Sequence, residues 1–205
     1  MRTDNMSPAK PAADTLPTLS FPDQPAWDEW LHAHHAQSAG VWLKLAKTGA
    51  GDTPAATLAY AQALDIALCY GWIDGQKKAL DARYWLQRFT PRRPRSAWSR
   101  INRDKATALI NAGKMQPAGL REVRAAQRDG RWDAAYEGQR NAQVPPDLQA
   151  ALDANPKAKA FFEGLDSKNR YAILYRLQAA KKPETRAKNV EKFVGMMERG
   201  ERVYG

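Results

Sequence analysis

The chain has 205 residues, 43% of them hydrophobic and 26% charged, enough to bury a core without covalent staples and too apolar for a wholly disordered protein. Its one cysteine, Cys69, excludes an intramolecular disulfide scaffold and a Cys-rich metal site, and no apolar run approaches the roughly 18 residues of a membrane helix. The net charge is +10, and the excess is local: eight basic residues face one acidic over 83–105, and twelve face six over 157–205.

Residues 1–20 are rich in Pro, Ala, Asp and Thr without periodicity and read as a disordered tail. They lack the apolar segment of a signal peptide, which makes the cytoplasm the expected location. Asp23 can cap a helix with Pro25 in its first turn, placing Trp27, Trp30, Leu31 and His34 on one face, until Gly40 stops it. Val41-Trp42-Leu43-Lys44-Leu45 alternates like a strand, and Gly49–Asp52 reads as a loop. From Thr57 to Tyr70 the run TLAYAQALDIALCY reads as a largely buried helix ended by Gly71. GWIDGQKK (71–78) and RYWLQRFTP (83–91) read as two strands joined by a short polar connection. Ser96 is the expected cap of a helix carrying Trp98, Ile101, Leu109 and Ile110, and Pro117 opens another that finishes near Gly130.

Residues 131–145 are the expected linker. Beyond it the pattern is helical: Asn155-Pro156 and Ser167 are start signals, and a last helix from Pro183 buries Val190, Phe193, Val194 and Met197. The expected fold class is therefore α+β. A domain over 21–130 contains a short antiparallel sheet, and residues 146–205 form a helical C-terminal subdomain.

The densest chemistry is RFTPRRPRSAWSRIN (88–102). Arg88, Arg92, Arg93, Arg95 and Arg100 interleave with Phe89 and Trp98; guanidinium forks suit phosphate or carboxylate, and aromatic faces stack bases or cations. Pro91 and Pro94 stiffen the loop, which lowers the entropy lost on presenting the arginines. The structural alternative is a loop whose arginines pair with the acidic N-terminal half while Phe89 and Trp98 enter the core. A second basic zone, Lys181, Lys182, Arg186, Lys188 and Lys192, lies along the last helix, either as a binding surface or as a solvated face.

Asp65 and Asp74 are the acid–base candidates. A carboxylate beside Arg83 or Arg88 is either a structural pair or a tuned catalytic group. His32, His34 and His35 lack the carboxylate or cysteine that would complete a metal site. Cys69 reads as an inert buried thiol. The phosphate-binding, nucleophile-elbow and zinc motifs do not occur, and no metal or cofactor is expected.

ALCYGWIDGQKK (67–78), RFTPRRPRSAWSRIN (88–102), GKMQPAGL (113–120) and NRYAILYRLQAAKKPETRAKNVEKFVGMM (169–197), in that order, resemble the YdeI/OmpD-associated, or bacteriocin-protection, family over about residues 25–200. The resemblance implies a role in resisting antimicrobial peptides or envelope stress, in some members through an outer-membrane porin, and it supplies no catalytic residues. The family pattern often carries an acidic residue where this chain has Gln62, and a second lysine where it has Thr48.

The expected ligand-binding set is Trp72, Asp74, Arg88, Phe89, Arg92, Arg93, Arg95, Ser96, Trp98 and Asn102, with Asp74 orienting an arginine. The expected activity is that of a non-enzymatic basic binding module for an anionic ligand or an acidic protein. The alternatives are nucleic-acid binding through the arginine loop, which falls steeply with salt, and a small-molecule enzyme using a carboxylate–arginine site.

Overall fold

A computed structural model describes residues 15–47, 58–139 and 141–205. The fold is α+β, with one small sheet near the N-terminus and helices thereafter. Its internal contacts divide the chain into two units, Met1–Ser96 with Asp104–Asp133, and Ala97–Arg103 with Ala134–Gly205.

The first unit begins with β1 (Thr18–Leu19), α1 (Gln24–His34) and β2 (Val41–Ala46). The expected tail extends to residue 20, and its first 14 residues lie outside the described ones. Leu16, however, is buried, and β1 pairs in parallel with β2. The sheet is thus mixed rather than purely antiparallel, because two residues of strand leave no readable period. The Asp23 carboxylate accepts from the Ala26 amide at 3.0 Å, Pro25 sits in the first turn, and α1 buries Trp27 and Leu31.

Residues 48–57, including the expected loop at Gly49–Asp52 and the position Thr48, lie outside the described residues. Next comes α2 (Tyr60–Cys69). Gln62 accepts from the Ala59 amide at 3.0 Å and so closes the helix start. Ala63, Leu64, Ala67, Leu68 and Cys69 are its buried residues. Gly71, at φ +74°, takes the left-handed turn that lets the chain leave α2 and enter the sheet.

β3 (Trp72–Ala79) and β4 (Tyr84–Pro91) form the expected hairpin. At its turn the Asp81 carboxylate accepts from the Arg83 and Tyr84 amides at 2.7 and 2.8 Å. Those bonds favour the charged form and hold its pKa below the usual carboxylate range. The sheet order is β1-β2-β4-β3. Val41 pairs with Phe89 and Ala46 with Tyr84, which fixes the two faces.

Val41, Leu43, Leu45, Phe89 and Trp72 face α1 and α2. There Trp27 is fully buried, with Phe21, Trp30, Trp72 and Phe89 around its ring and its indole N–H donating to the Ala63 carbonyl at 3.1 Å. α4 (Pro117–Arg128) closes on the end of α2. A Cβ on Gly119 would stand 2.2 Å from the Cys69 carbonyl oxygen.

Between them lies α3 (Arg100–Asn111), whose first turn, through Arg103, is counted with the second unit. Its cap is Ser99, which accepts from the Asn102 amide at 3.2 Å. The expected cap, Ser96, instead accepts from Arg93 at 3.1 Å within the preceding loop, where Arg95 holds φ +68°.

The second unit takes in part of the expected linker. Tyr136 bridges to Ser99 and Ala135 is buried. Four helices follow: α5 (Pro146–Asp153), α6 (Pro156–Glu163), α7 (Ser167–Ala179) and α8 (Pro183–Glu198). Asn155 caps α6 as expected, at 3.0 Å. α7 is capped by Asp166, one residue before the expected Ser167, at 2.8 Å from the Asn169 amide. Leu148, Leu152, Phe162, Ile173, Leu177, Phe193 and Met197 form the core, with Val190 and Val194 against it.

Arg186 reaches from α8 to α5, its Nε 2.5 Å and Nη2 2.8 Å from the two Asp147 oxygens, and its Nη1 donates to the Leu177 carbonyl at 2.8 Å. The Arg186 hydrogen bond holds Asp147 below the usual carboxylate range. Asp147→Asn should cost less than about 1 kcal/mol at neutral pH, because both side chains are partly exposed and water screens the pair. A depressed folded pKa stabilises above the unfolded value, near pH 4, and the gain is lost as pH falls through the folded one. Thermal melts of wild type and variant should therefore converge as the pH falls well below the unfolded value. A gap that persists there would refute the ionic origin of the effect.

Candidate functional site

The outer face of the sheet, opposite α1 and α2, brings basic and aromatic side chains together. Antiparallel register places Trp42 beside Arg88 and Lys44 beside Leu86, with Lys78 also opposite Leu86. Trp42 and Leu86 are buried against Leu16 and make an apolar floor. Over it the cations lie on rings: Lys44 Nζ is 3.9 Å from the Tyr84 centroid, and Lys78 Nζ is 4.3 Å from that of Trp42. An ammonium held on an aromatic face keeps its charge outward while its stem covers apolar surface.

Arg88 is half-buried. Its Nη1 donates to Gln76 at 3.5 Å, and its buried Nε finds no acceptor among the described residues. A buried guanidinium N–H without an acceptor is costly and favours an anion at its open side. β2 and β4 contain no Asp or Glu, and the only acid of β3, Asp74, lies on the opposite face. The outer face of these three strands is therefore uniformly positive.

Asp74 does not orient an arginine. Its carboxylate accepts from the Tyr60 hydroxyl at 2.8 Å on the helix side of the sheet. Burial, together with the neighbouring Asp74 charge, pushes the Tyr60 phenol far above its ordinary range, so Tyr60 stays a hydrogen-bond donor throughout the physiological range. Asp65 pairs with Lys105 at 2.6 Å, again not with an arginine. Strand register puts Asp74 on that side, and a contact between α2 and α3 gives Asp65 its partner; the spacing of residues along the chain reveals neither.

The other expected site residues are spread out. Trp72 and Phe89 are core side chains of the first unit, while Trp98 and Asn102 are buried residues counted with the second. Arg92 is buried, and its amide donates to the Gly71 carbonyl at 2.9 Å. Arg93 and Arg95 are exposed on the loop, and Ser96 braces it. In the second basic zone Arg186 is the structural tie to Asp147, while Lys181, Lys182, Lys188 and Lys192 are exposed.

Lys44, Lys78, Trp42 and Tyr84 are absent from the expected set. The signal that points to them is the alternation of VWLKLA read against YWLQRFTP, which becomes informative once the pairing is known. Gln87 is a further residue missed. Buried on the helix side, it donates through Nε2 to the Gly75 and Gln76 carbonyls at 2.9 and 3.2 Å. It thereby secures a bulge where β3 runs one residue ahead of β4 between Asp74 and Lys77.

Elsewhere the histidines bond along their own helix, His34 to the Trp30 carbonyl at 2.8 Å and His35 to that of Leu31 at 2.9 Å. Among the described residues no group of His, Cys, Asp and Glu is arranged to hold a metal ion. Cys69 is buried, and burial, with Asp28 and Asp65 nearby, raises its thiol pKa to about 11, the opposite of a reactive thiolate. Among the described residues no helix is long and apolar enough to cross a membrane.

Two family models match the chain. One, described as a domain of unknown function (DUF8412), covers residues 19–122; the other, described as bacteriocin-protection, YdeI or OmpD-associated, covers residues 141–200. No curated protein and no solved structure matches.

Proposed function

We propose, for a chain that belongs to the family described as a domain of unknown function (DUF8412) and carries the bacteriocin-protection, YdeI or OmpD-associated domain over residues 141–200, that it acts as a non-enzymatic binding module in resistance to bacteriocins or envelope stress. The observation that supports this reading is the outer sheet face, where Lys44, Lys78 and Arg88 stand over Trp42 and Leu86 with no carboxylate among them. Such a surface attracts an anionic partner and offers no nucleophile or acid–base pair. A protein of net charge +10 repels a cationic peptide, so protection runs through an acidic protein or another anionic intermediary rather than by sequestration.

The test removes the three cations together, as Lys44→Gln/Lys78→Gln/Arg88→Gln, with circular dichroism to verify the fold. Binding of fluorescent poly-L-glutamate should weaken roughly 10- to 100-fold, given about 0.5–1 kcal/mol per cation contact. A bacteriocin-sensitive strain expressing the wild-type chain should survive exposure better than one expressing the variant. Equal binding and equal survival would overturn the reading. Labelled single-stranded DNA bound more tightly than poly-glutamate at about 200 mM salt would move it to nucleic acid.

A further inference from the structure

Among the described residues the sheet ends on β3, and that strand is long, accessible and positively charged on both faces. Every residue from Gly75 to Leu80 is exposed, and β4 is the neighbour that β3 has in the sheet order. In an antiparallel pair alternate residues turn their N–H and C=O groups away from the partner, so the outer side of β3 presents a row of backbone donors and acceptors. Lys77 and Lys78 stand on opposite faces of this edge. Beside them is a hollow of about 480 Å³ lined by Lys47, Lys77, Lys78, Ala79 and Trp85. Lys47 is anchored there by donating to the Asp81 carbonyl at 2.7 Å.

We infer that β3 is a docking edge for an extended acidic peptide, a segment of a partner protein that adds a fifth strand to the sheet. The inference rests on the proposed anionic partner and specifies how it is held. Main-chain bonds along residues 76–79 supply the affinity, and side chains of the added strand supply the selectivity. Acidic residues at alternating positions meet Lys78 on one face of the edge, and on the other an apolar or aromatic side chain lies in the hollow against Trp85. A second copy of this chain is excluded as the occupant, because its own Lys77 and Lys78 would be brought against these, and like charges opposite one another destabilise a strand pair. The same lysines that deter self-association select an acidic strand.

The probe is a blocked heptapeptide alternating Asp with apolar residues, acetyl-Asp-Val-Asp-Phe-Asp-Val-Asp-amide, added to the full-length ¹⁵N-labelled protein. Amide signals of residues 76–79 should shift, and hydrogen exchange there should slow. Methylating the backbone nitrogens of all seven residues leaves the charge intact and blocks both edges of the peptide, so affinity should fall at least about tenfold. A peptide with Lys for Asp should not bind wild type but should bind the Lys77→Glu/Lys78→Glu variant. Equal affinity of the methylated and unmethylated peptides, or shifts confined to Lys44 and Arg88, would overturn edge docking while leaving the anionic sheet face standing. Failure of all acidic peptides together with poly-glutamate would remove both.

Discussion

Replacing Trp27 by alanine is expected to cost about 3–5 kcal/mol, the range for removing a large aromatic from a packed core. With domain stabilities of about 5–15 kcal/mol, that loss is a large share of the margin. The ring is fully buried, lies 5.4 Å from Trp30 in a stacked pair and 5.9 Å from Phe89, and joins α1 to the helix side of the sheet. Truncation leaves a cavity among packed rings, and it removes the hydrogen bond that the Ala63 carbonyl accepts from the indole N–H in addition to its helical one. Trp27→Phe keeps most of the volume and loses the hydrogen bond, so its cost should be the smaller. Urea unfolding followed by circular dichroism measures both. A midpoint for Trp27→Ala close to wild type would mean that the ring cluster does not hold the first unit together.

Gly119→Ala should destabilise by about 1–3 kcal/mol or more, and here the sign is the informative quantity. In an open helix position the same change stabilises by up to about 1 kcal/mol, because alanine has the higher helix propensity. At Gly119 the added methyl would lie 2.2 Å from the Cys69 carbonyl oxygen and 2.8 Å from that of Leu68, both backbone atoms that no rotamer change can move aside. α4 must back away from the end of α2, breaking the bond from the Gln116 amide to the Cys69 carbonyl, 3.1 Å long. A variant more stable than wild type would show that the two helices do not pack this closely.

Much of the scaffold was legible because local chemistry determines it. Asp23 with Pro25, Asn155 with Pro156, and Gly71 after an apolar run each satisfy or end a helix within a few residues, and all three act as expected. Where two polar residues competed for one cap, composition could not choose. Ser99 and Asp166 cap the helices rather than Ser96 and Ser167, since the first helical dihedral decides, not the presence of a hydroxyl.

The candidate site was less legible. Arg88 stands out by its neighbours in sequence, but Lys44 and Lys78 join it only through pairings between β2, β4 and β3. Asp74 follows the same logic in reverse. Its pairing with Phe89 puts its carboxylate on the helix side, where it meets Tyr60 from α2, a contact fourteen residues away that no local pattern encodes.

The same pairing of β2 with β4 has a consequence during synthesis. Ala46 meets Tyr84 and Val41 meets Phe89, so the central strand leaves the ribosome about forty residues before its neighbour exists. At roughly 5–20 residues per second, that is a wait of seconds. The hairpin of β3 and β4 closes locally, and the helices of the second unit do so as well, but until β4 emerges the strand neighbour of β2 among the described residues is the two-residue β1, with α1 against one face. For that interval Val41–Ala46 is a nearly all-apolar strand, and Lys44 is the single charge that discourages it from pairing with another nascent chain.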